Sequence, residues 1–169
     1  MLNNHSYYSL RYGTLEPSTV LDIAEQFGYD TLSLTDINCT AGVIEFARLA
    51  LKRGIKPVAG VDFRNGVQQC FVALAKNNDG FAAINEYLSS RLQANESIPL
   101  VAPAWNDVVV IYPLRHFIDG RLKADELNEN EYIGATLRDV GKLRFSKIKF
   151  DSKKLVYMHP ATFATKRDF

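Results

Sequence analysis

Short apolar runs alternate with segments of helical period along almost the whole chain, and this alternation restricts the fold more than any other feature. Residues 31–35, 56–61, 67–75, 107–112, 132–135 and 155–158 read as strands, with residues 1–4 as a short first one. Between them, Pro17 stands where a helix starts, and Val20, Leu21, Ile23, Ala24 and Phe27 form an apolar face that Gly28 ends. Thr40 is placed to cap a second helix carrying Val43, Ile44, Phe46, Ala47, Leu49, Ala50 and Leu51, which Gly54 stops. Residues 81–92 and 136–145 give a third and a fourth helical pattern. The stretch 93–106 holds Pro99 and Pro103, has no period and reads as a loop. Strands separated by helices predict βα units and a largely parallel sheet. Seven strands suit a barrel-like closure more than an open doubly wound sheet.

A chain of 169 residues, 47% of them apolar, is long enough for one core, so a single domain is expected. Twenty basic against nineteen acidic residues leave a net charge of +1, which excludes bulk electrostatics as a pointer to nucleic acid, a membrane or an acidic partner. Cys39 and Cys70 form no CxxC and no disulfide framework, which fits two reduced, buried or half-buried thiols. There is neither a basic, apolar leader pattern nor a stretch approaching the ~20 apolar residues of a membrane span. These features together predict a soluble, cytoplasmic protein with no membrane partner. Dinucleotide-binding, Walker A and zinc-finger spacings are missing, and three scattered histidines support no Ser-His-Asp triad.

Four residues carry the chemical interest. His5, Asp36, Asp62 and His159 each fall at or just beyond the end of a predicted strand. In a parallel barrel the loops that follow the strands converge on one face, so four metal-ligand types from separate strands would meet there. A mixed imidazole and carboxylate set suits metals that activate water. Taken singly, an Asp after a strand is more often a turn or cap residue, and a lone His usually makes an ordinary hydrogen bond. Coincidence at the strand ends is what favours a site. His116 lies outside these segments and is expected to be solvent-exposed.

Along the first 90 residues these segments also carry a family resemblance. The order His5-Ser6-x-Tyr8-Ser9-Leu10-x-x-Gly13, Leu34-Thr35-Asp36, Gly54-Ile55-Lys56-Pro57-Val58-x-Gly60-Val61-Asp62-Phe63 and Leu74-Ala75-Lys76-Asn77-x-x-Gly80 resembles the PHP (polymerase and histidinol phosphatase) domain. Within that family it is similar to the N-terminal PHP region of bacterial DNA polymerase III alpha subunits. The likeness thins over residues 95–150 and returns faintly at 163–169. It implies an α/β fold, a compact version of the PHP-type distorted (β/α)7-like barrel, spanning residues 1–169 as one domain. The ending Thr165-Lys166-Arg167-Asp168-Phe169 stops where family chains continue, so an N-terminal fragment of a longer polymerase chain is expected.

Read position by position, the family's metal pattern is poorly kept. The first His of its His-x-His motif is Asn3, while the second is His5. An acidic position before the glycine is Tyr12. The family's Leu-Thr-Asp-His-Gly keeps Asp36 but has Ile37 and Asn38. Its Glu becomes Asp62, and its Asn-Asp-x-His falls on Met158-His159-Pro160-Ala161. Ile37 and Ala161 cannot ligate, and Asn3 and Tyr12 replace charged or imidazole donors by neutral ones. His5, Asp36, Asp62 and His159 are thus remnant metal-site positions, whereas Asn3, Tyr12, Ile37 and Ala161 are lost ligands. No catalytic residue and no cofactor is expected, beyond at most one weakly held divalent ion (Zn, Mn or Mg). The resemblance implies a non-catalytic scaffold or interaction module in DNA replication. Its partners would be the polymerase core of the same chain, a DNA-directed DNA polymerase (nucleotidyltransferase), and other replisome subunits, with DNA contacted through the parent protein. The competing expectation is a residual metal-dependent phosphoesterase or 3′–5′ exonuclease. Lys142, Arg144, Lys147, Lys149, Lys153 and Lys154, interleaved with Phe145 and Phe150, form a basic stretch. Lys142, Arg144, Lys147 and Lys149 are its candidate nucleic-acid contacts, set against a solvated face as the plainer alternative.

Overall fold

The computed structural model describes residues 1–145 and 151–163, the side chains of Val140, Arg144 and Phe145 excepted. Among these residues the elements are, in order, β1 (Asn3–Asn4), α1 (Pro17–Gln26), β2 (Thr31–Leu34), α2 (Val43–Lys52), β3 (Lys56–Asn65), β4 (Gln68–Ala75), α3 (Asn78–Ala94), β5 (Val108–Pro113), α4 (Arg115–Ile118), β6 (Glu131–Ala135), α5 (Val140–Phe145), β7 (Leu155–Tyr157) and β8 (Pro160–Ala161). The main sheet runs in the order β2-β3-β4-β5-β6-β7, and β1 pairs with β8. The short ladder joins the two edges of the curled sheet. β7 leads through Met158 and His159 into β8, and β1 bonds β2 where the Thr35 N–H donates to the Asn4 carbonyl at 2.9 Å. The expected barrel-like α/β architecture is therefore present.

Three predicted details change. β4 is antiparallel to both β3 and β5, so β3 and β4 form a hairpin rather than consecutive βα units. The cause is local: Gly66, with φ +57, makes the tight reversal after Asn65 at a conformation that glycine adopts without steric cost. Thr40 does not cap α2; Gly42 holds that position, and the Thr40 hydroxyl donates to Asn85 Oδ1 at 2.7 Å. The expected helix over 136–145 begins as a 3-10 turn at Leu137–Asp139 before α5. Lys147 and Lys149 of the basic stretch lie outside the described residues, as does the side chain of Arg144.

Strand periodicity separates the core into an outer and an inner layer. On the outer face, Val61, Phe63, Phe71, Ala73, Val108 and Val110 pack against Ile84 and Leu88 of α3. Leu32 and Leu34 pack on Val20, Leu21 and Ala24 of α1 and on Phe46 and Ala50 of α2. On the inner face, Val72, Leu74, Ile111 and Met158 fill the lower interior. Asp62 lies opposite Val72 in the β3–β4 register, so the intervening positions of β3 place Asp62 and Arg64 on the inner face. The helices thus cover the outside of the sheet, and polar groups are concentrated inside it. Cys70 is buried and Cys39 half-buried, and both are free thiols.

Candidate functional site

Asp62 is the centre of the inner polar group. Its Oδ2 accepts from His5 Nε2 at 3.0 Å, Arg64 Nε at 3.0 Å, Arg64 Nη2 at 2.7 Å and Gln69 Nε2 at 2.9 Å. Its Oδ1 is buried with no hydrogen-bond partner. Burial alone would raise this carboxyl group, but the hydrogen bonds from His5 and Arg64 and the guanidinium charge hold it below the ordinary carboxylate range. Asp62 is fully buried and Arg64 only 7% exposed, so the pair is an ion pair largely withdrawn from water. Arg64 in turn is pushed upward by Asp62, although burial works the other way. The Tyr12 ring lies 4.6 Å from the guanidinium carbon, a cation–π geometry, and meets His5 edge-on at 5.5 Å.

The surrounding backbone places Arg64 there. Asn38 adopts a left-handed conformation, φ +46, which asparagine tolerates better than most residues. Its side-chain amide donates to the Arg64 carbonyl at 2.8 Å and accepts from the Arg64 N–H at 2.9 Å. The β3–β4 register shifts between Phe63 and Arg64, so Cys70 is passed over and Arg64 pairs with Gln69. That bulge puts Gln69 on the same face as Asp62 and Arg64.

Asp36 sits in a different cluster. It is buried, and its Oδ1 accepts from the Ser6 N–H at 2.7 Å and the Ser9 hydroxyl at 2.6 Å, while Oδ2 accepts from the Ser6 hydroxyl at 2.8 Å. All of these donors come from the loop after β1. The Ser9 hydroxyl also accepts from the Ile37 N–H at 3.0 Å. Gly13 completes the loop: a Cβ there would stand 1.9 Å from the Ser6 carbonyl oxygen, so no larger residue fits without backbone movement. Asp36 is therefore a loop clamp, the turn role that strand-end aspartates commonly take.

The other predicted positions separate into those near the centre and those away from it. Asn3 is buried and its Oδ1 accepts from the Thr35 hydroxyl at 2.9 Å. Ile37 forms an isolated bridge to Asp62, and the Ala161 carbonyl accepts from the His5 N–H at 2.9 Å. His159 does not join the site: it is exposed and lies edge-on to Tyr157 at 6.3 Å, because Pro160 and Ala161 continue directly into the β8 ladder. His116 is fully buried, contrary to the expected exposure, with Nε2 2.8 Å from the Gln69 carbonyl. Arg64, Gln69 and Thr162 were not indicated by the family motifs, and Ser6 and Ser9, which stand in the first motif, were not among the candidate site residues. Arg64 had a signal nonetheless, since an Asp-x-Arg in a strand sets the two charges on one face.

These donors do not fit a multinuclear metal centre. His5 spends Nε2 on Asp62 and faces the Thr162 hydroxyl with Nδ1 at 3.1 Å, so neither ring nitrogen offers a free lone pair. Asp36 is occupied by three donors, and a permanent cation already neutralises Asp62. Among the described residues no group of three or more His, Cys, Asp or Glu side chains is arranged to hold a metal ion.

The curled α/β sheet, with His5 and Asp36 just beyond β1 and β2 and Asp62 within β3, belongs to a known class. The PHP domain family matches residues 2–118, and the chain belongs to that family. Among its relatives, the DNA polymerase III subunit alpha of Buchnera aphidicola subsp. Schizaphis graminum is 33% identical over 87 residues, covering 47% of this chain and 7% of the relative. The Bacillus subtilis DNA polymerase III subunit alpha is 32% identical over 110 residues, 62% of this chain and 10% of the relative. This chain therefore matches about a tenth or less of these relatives' length. Among solved structures, an amidohydrolase from Chromobacterium violaceum is 30% identical with a TM-score of 0.43, covering 55% of this chain and 33% of that one. No helix among the described residues is long and apolar enough to cross a membrane.

Proposed function

We propose that this chain is a non-catalytic PHP module of a DNA polymerase III alpha-like protein, working in DNA replication as a scaffold for the polymerase core and as a surface for other replisome subunits. The Asp62–Arg64 ion pair carries this reading. Metal-assisted phosphoester cleavage needs clustered cations that polarise phosphate and generate hydroxide. Here a guanidinium occupies the carboxylate. It can neutralise charge, but it presents no coordination position on which water can be deprotonated at neutral pH. His5 and Asp36 are committed to hydrogen bonds that hold the fold. The likeness to polymerase subunits supplies the replication context.

The test is an assay of purified protein for phosphate release and 3′-end trimming with added Mn or Zn. No turnover above a heat-inactivated control is expected. Robust turnover abolished by Asp36→Ala would overturn the reading in favour of a residual PHP phosphoesterase or exonuclease.

A further inference from the structure

A cavity of about 280 Å³ opens at the N-terminal ends of β5 and β6 and shares no residue with the Asp62–Arg64 centre. Its volume lies just below the usual range for ligand pockets, which limits an occupant to a single ring. Val108 and Val110 give it an apolar floor, and Trp105 stands in the wall with Asn106, Asn128 and Glu131. We propose that this cavity is a binding site for a neutral ring bearing adjacent hydroxyl groups, as a free pyranoside or as the ribose of a nucleoside.

The unspent hydrogen-bonding groups of the wall carry this assignment. Glu131 is only 8% exposed and is held before any ligand arrives: Oε1 accepts from the Tyr112 hydroxyl at 2.9 Å and Oε2 from the Asn128 N–H at 2.8 Å. Tyr112 is fixed in turn, because its hydroxyl accepts from the Ala102 N–H at 3.1 Å. Both donors to Glu131 are neutral and each oxygen takes one of them, so the buried carboxylate keeps further acceptor positions. A hydroxyl that donates to such a group makes a charge-assisted bond, stronger than a neutral one. No hydrogen bond joins the Trp105 indole N–H or the side-chain amides of Asn106 and Asn128 to another described residue. These groups supply donors as well as acceptors, a mixture that hydroxyls match because each hydroxyl does both. The indole, held edge-on by Tyr87 at 5.4 Å and Phe71 at 6.3 Å, adds the flat apolar surface against which the C–H side of a sugar ring packs.

The charges nearby disfavour the other ligand classes. The lining holds no Lys or Arg among the described residues, and the two lysines at its rim are committed. Lys76 Nζ donates to the Asn106 carbonyl at 3.2 Å and to Asn130 Oδ1 at 2.5 Å, and Lys154 Nζ donates to the carbonyls of Asn128 at 2.6 Å and Glu129 at 2.8 Å. An anion would therefore meet a buried carboxylate with no free cation beside it. An ammonium ion would satisfy Glu131 but leave the indole and amide donors facing a positive charge.

Trp105 is the only tryptophan of the chain, so its emission and its indole N–H resonance report on the cavity directly. The experiment is a titration read by both signals, with methyl β-D-glucopyranoside and separately with methyl β-D-ribofuranoside. A saturable change at millimolar concentration is expected. Tighter binding of the glucopyranoside assigns the site to a free saccharide, and tighter binding of the ribofuranoside assigns it to the ribose of a nucleoside. Asn106→Ala and Asn128→Ala should each weaken binding about fivefold, as loss of one neutral hydrogen bond predicts. Both side chains are exposed, and the Asn128 N–H that holds Glu131 is kept, so these variants should fold. Glu131→Gln should weaken binding further, about tenfold, because the charged acceptor is lost. If that variant does not fold, the two asparagine variants decide. No saturable change up to hundreds of millimolar, a response to butylamine but to neither glycoside, or binding indifferent to both asparagine variants overturns the proposal.

Discussion

Asp36 lies just beyond β2, and Asp62 lies within β3 rather than at the strand end expected for it; both are buried and both are at positions of the family's metal pattern, yet they are satisfied in opposite ways. Asp36 takes only neutral donors, two hydroxyls and a backbone N–H, all from one loop. Asp62 takes a guanidinium, an imidazole and an amide, drawn from three strands or their ends. A buried carboxylate needs compensation, and the source of that compensation decides what the residue holds together. Around Asp36 the result is a locally ordered loop. Around Asp62 it is a cross-barrel tie whose cation is covalently part of the chain.

The largest break in this comparison comes from Arg64→Ala. It strands the Asp62 charge in the interior, and loss of one partner of a buried ion pair costs about 3–5 kcal/mol. Chemical denaturation should show that loss, and a change below about 1 kcal/mol would mean that Asp62 is compensated elsewhere. Asp36→Ala should cost less, about 1–3 kcal/mol, because the buried donors it leaves unpaired on Ser6 and Ser9 are neutral rather than charged. Amide exchange should localise the effect to residues 6–13, and global loosening of β3 and β4 would contradict the division between the two clusters.

Acid supplies the next test. Because the folded-state carboxyl of Asp62 is held below its unfolded value, its contribution is present in full above the unfolded pKa, roughly 4, and is lost as pH falls through the lower folded value. Wild-type stability should therefore drop below roughly pH 4, and Asp62→Asn should flatten part of that drop. The smallest expected effect is that of His159→Ala, within about 0.5 kcal/mol for an exposed side chain away from the site. A large loss of stability there would return His159 to the centre.

How much of this was legible beforehand follows from the range of each signal. β5 and α2 were readable because an apolar run or a helical period is contained within the segment itself. The β3–β4 hairpin left a sign in Asn65-Gly66, but the long apolar runs on either side also fitted parallel strands. β1 and β8 are two residues each and owe their existence to a pairing between the two ends of the chain. His5, Asp36 and Asp62 were identifiable from their spacing. Their partners were not, since Gln69 reaches Asp62 only through a register shift and Thr162 reaches His5 across 157 residues. His159 illustrates the converse: its motif aligned, but the β8 ladder turned it to solvent. His116 was misplaced because a short helix after β5 carries it inward against Gln69.

We propose that Arg64 stands as the built-in cation of a PHP site that takes no metal. The most direct test is the melting temperature of the wild-type protein after exhaustive EDTA treatment, and again after addition of Zn or Mn, with metal content measured on the same samples. A ligand bound only by the folded state raises its melting point. Substoichiometric metal and the same melting temperature throughout are expected. Stoichiometric metal with a rise of several degrees would contradict the proposal.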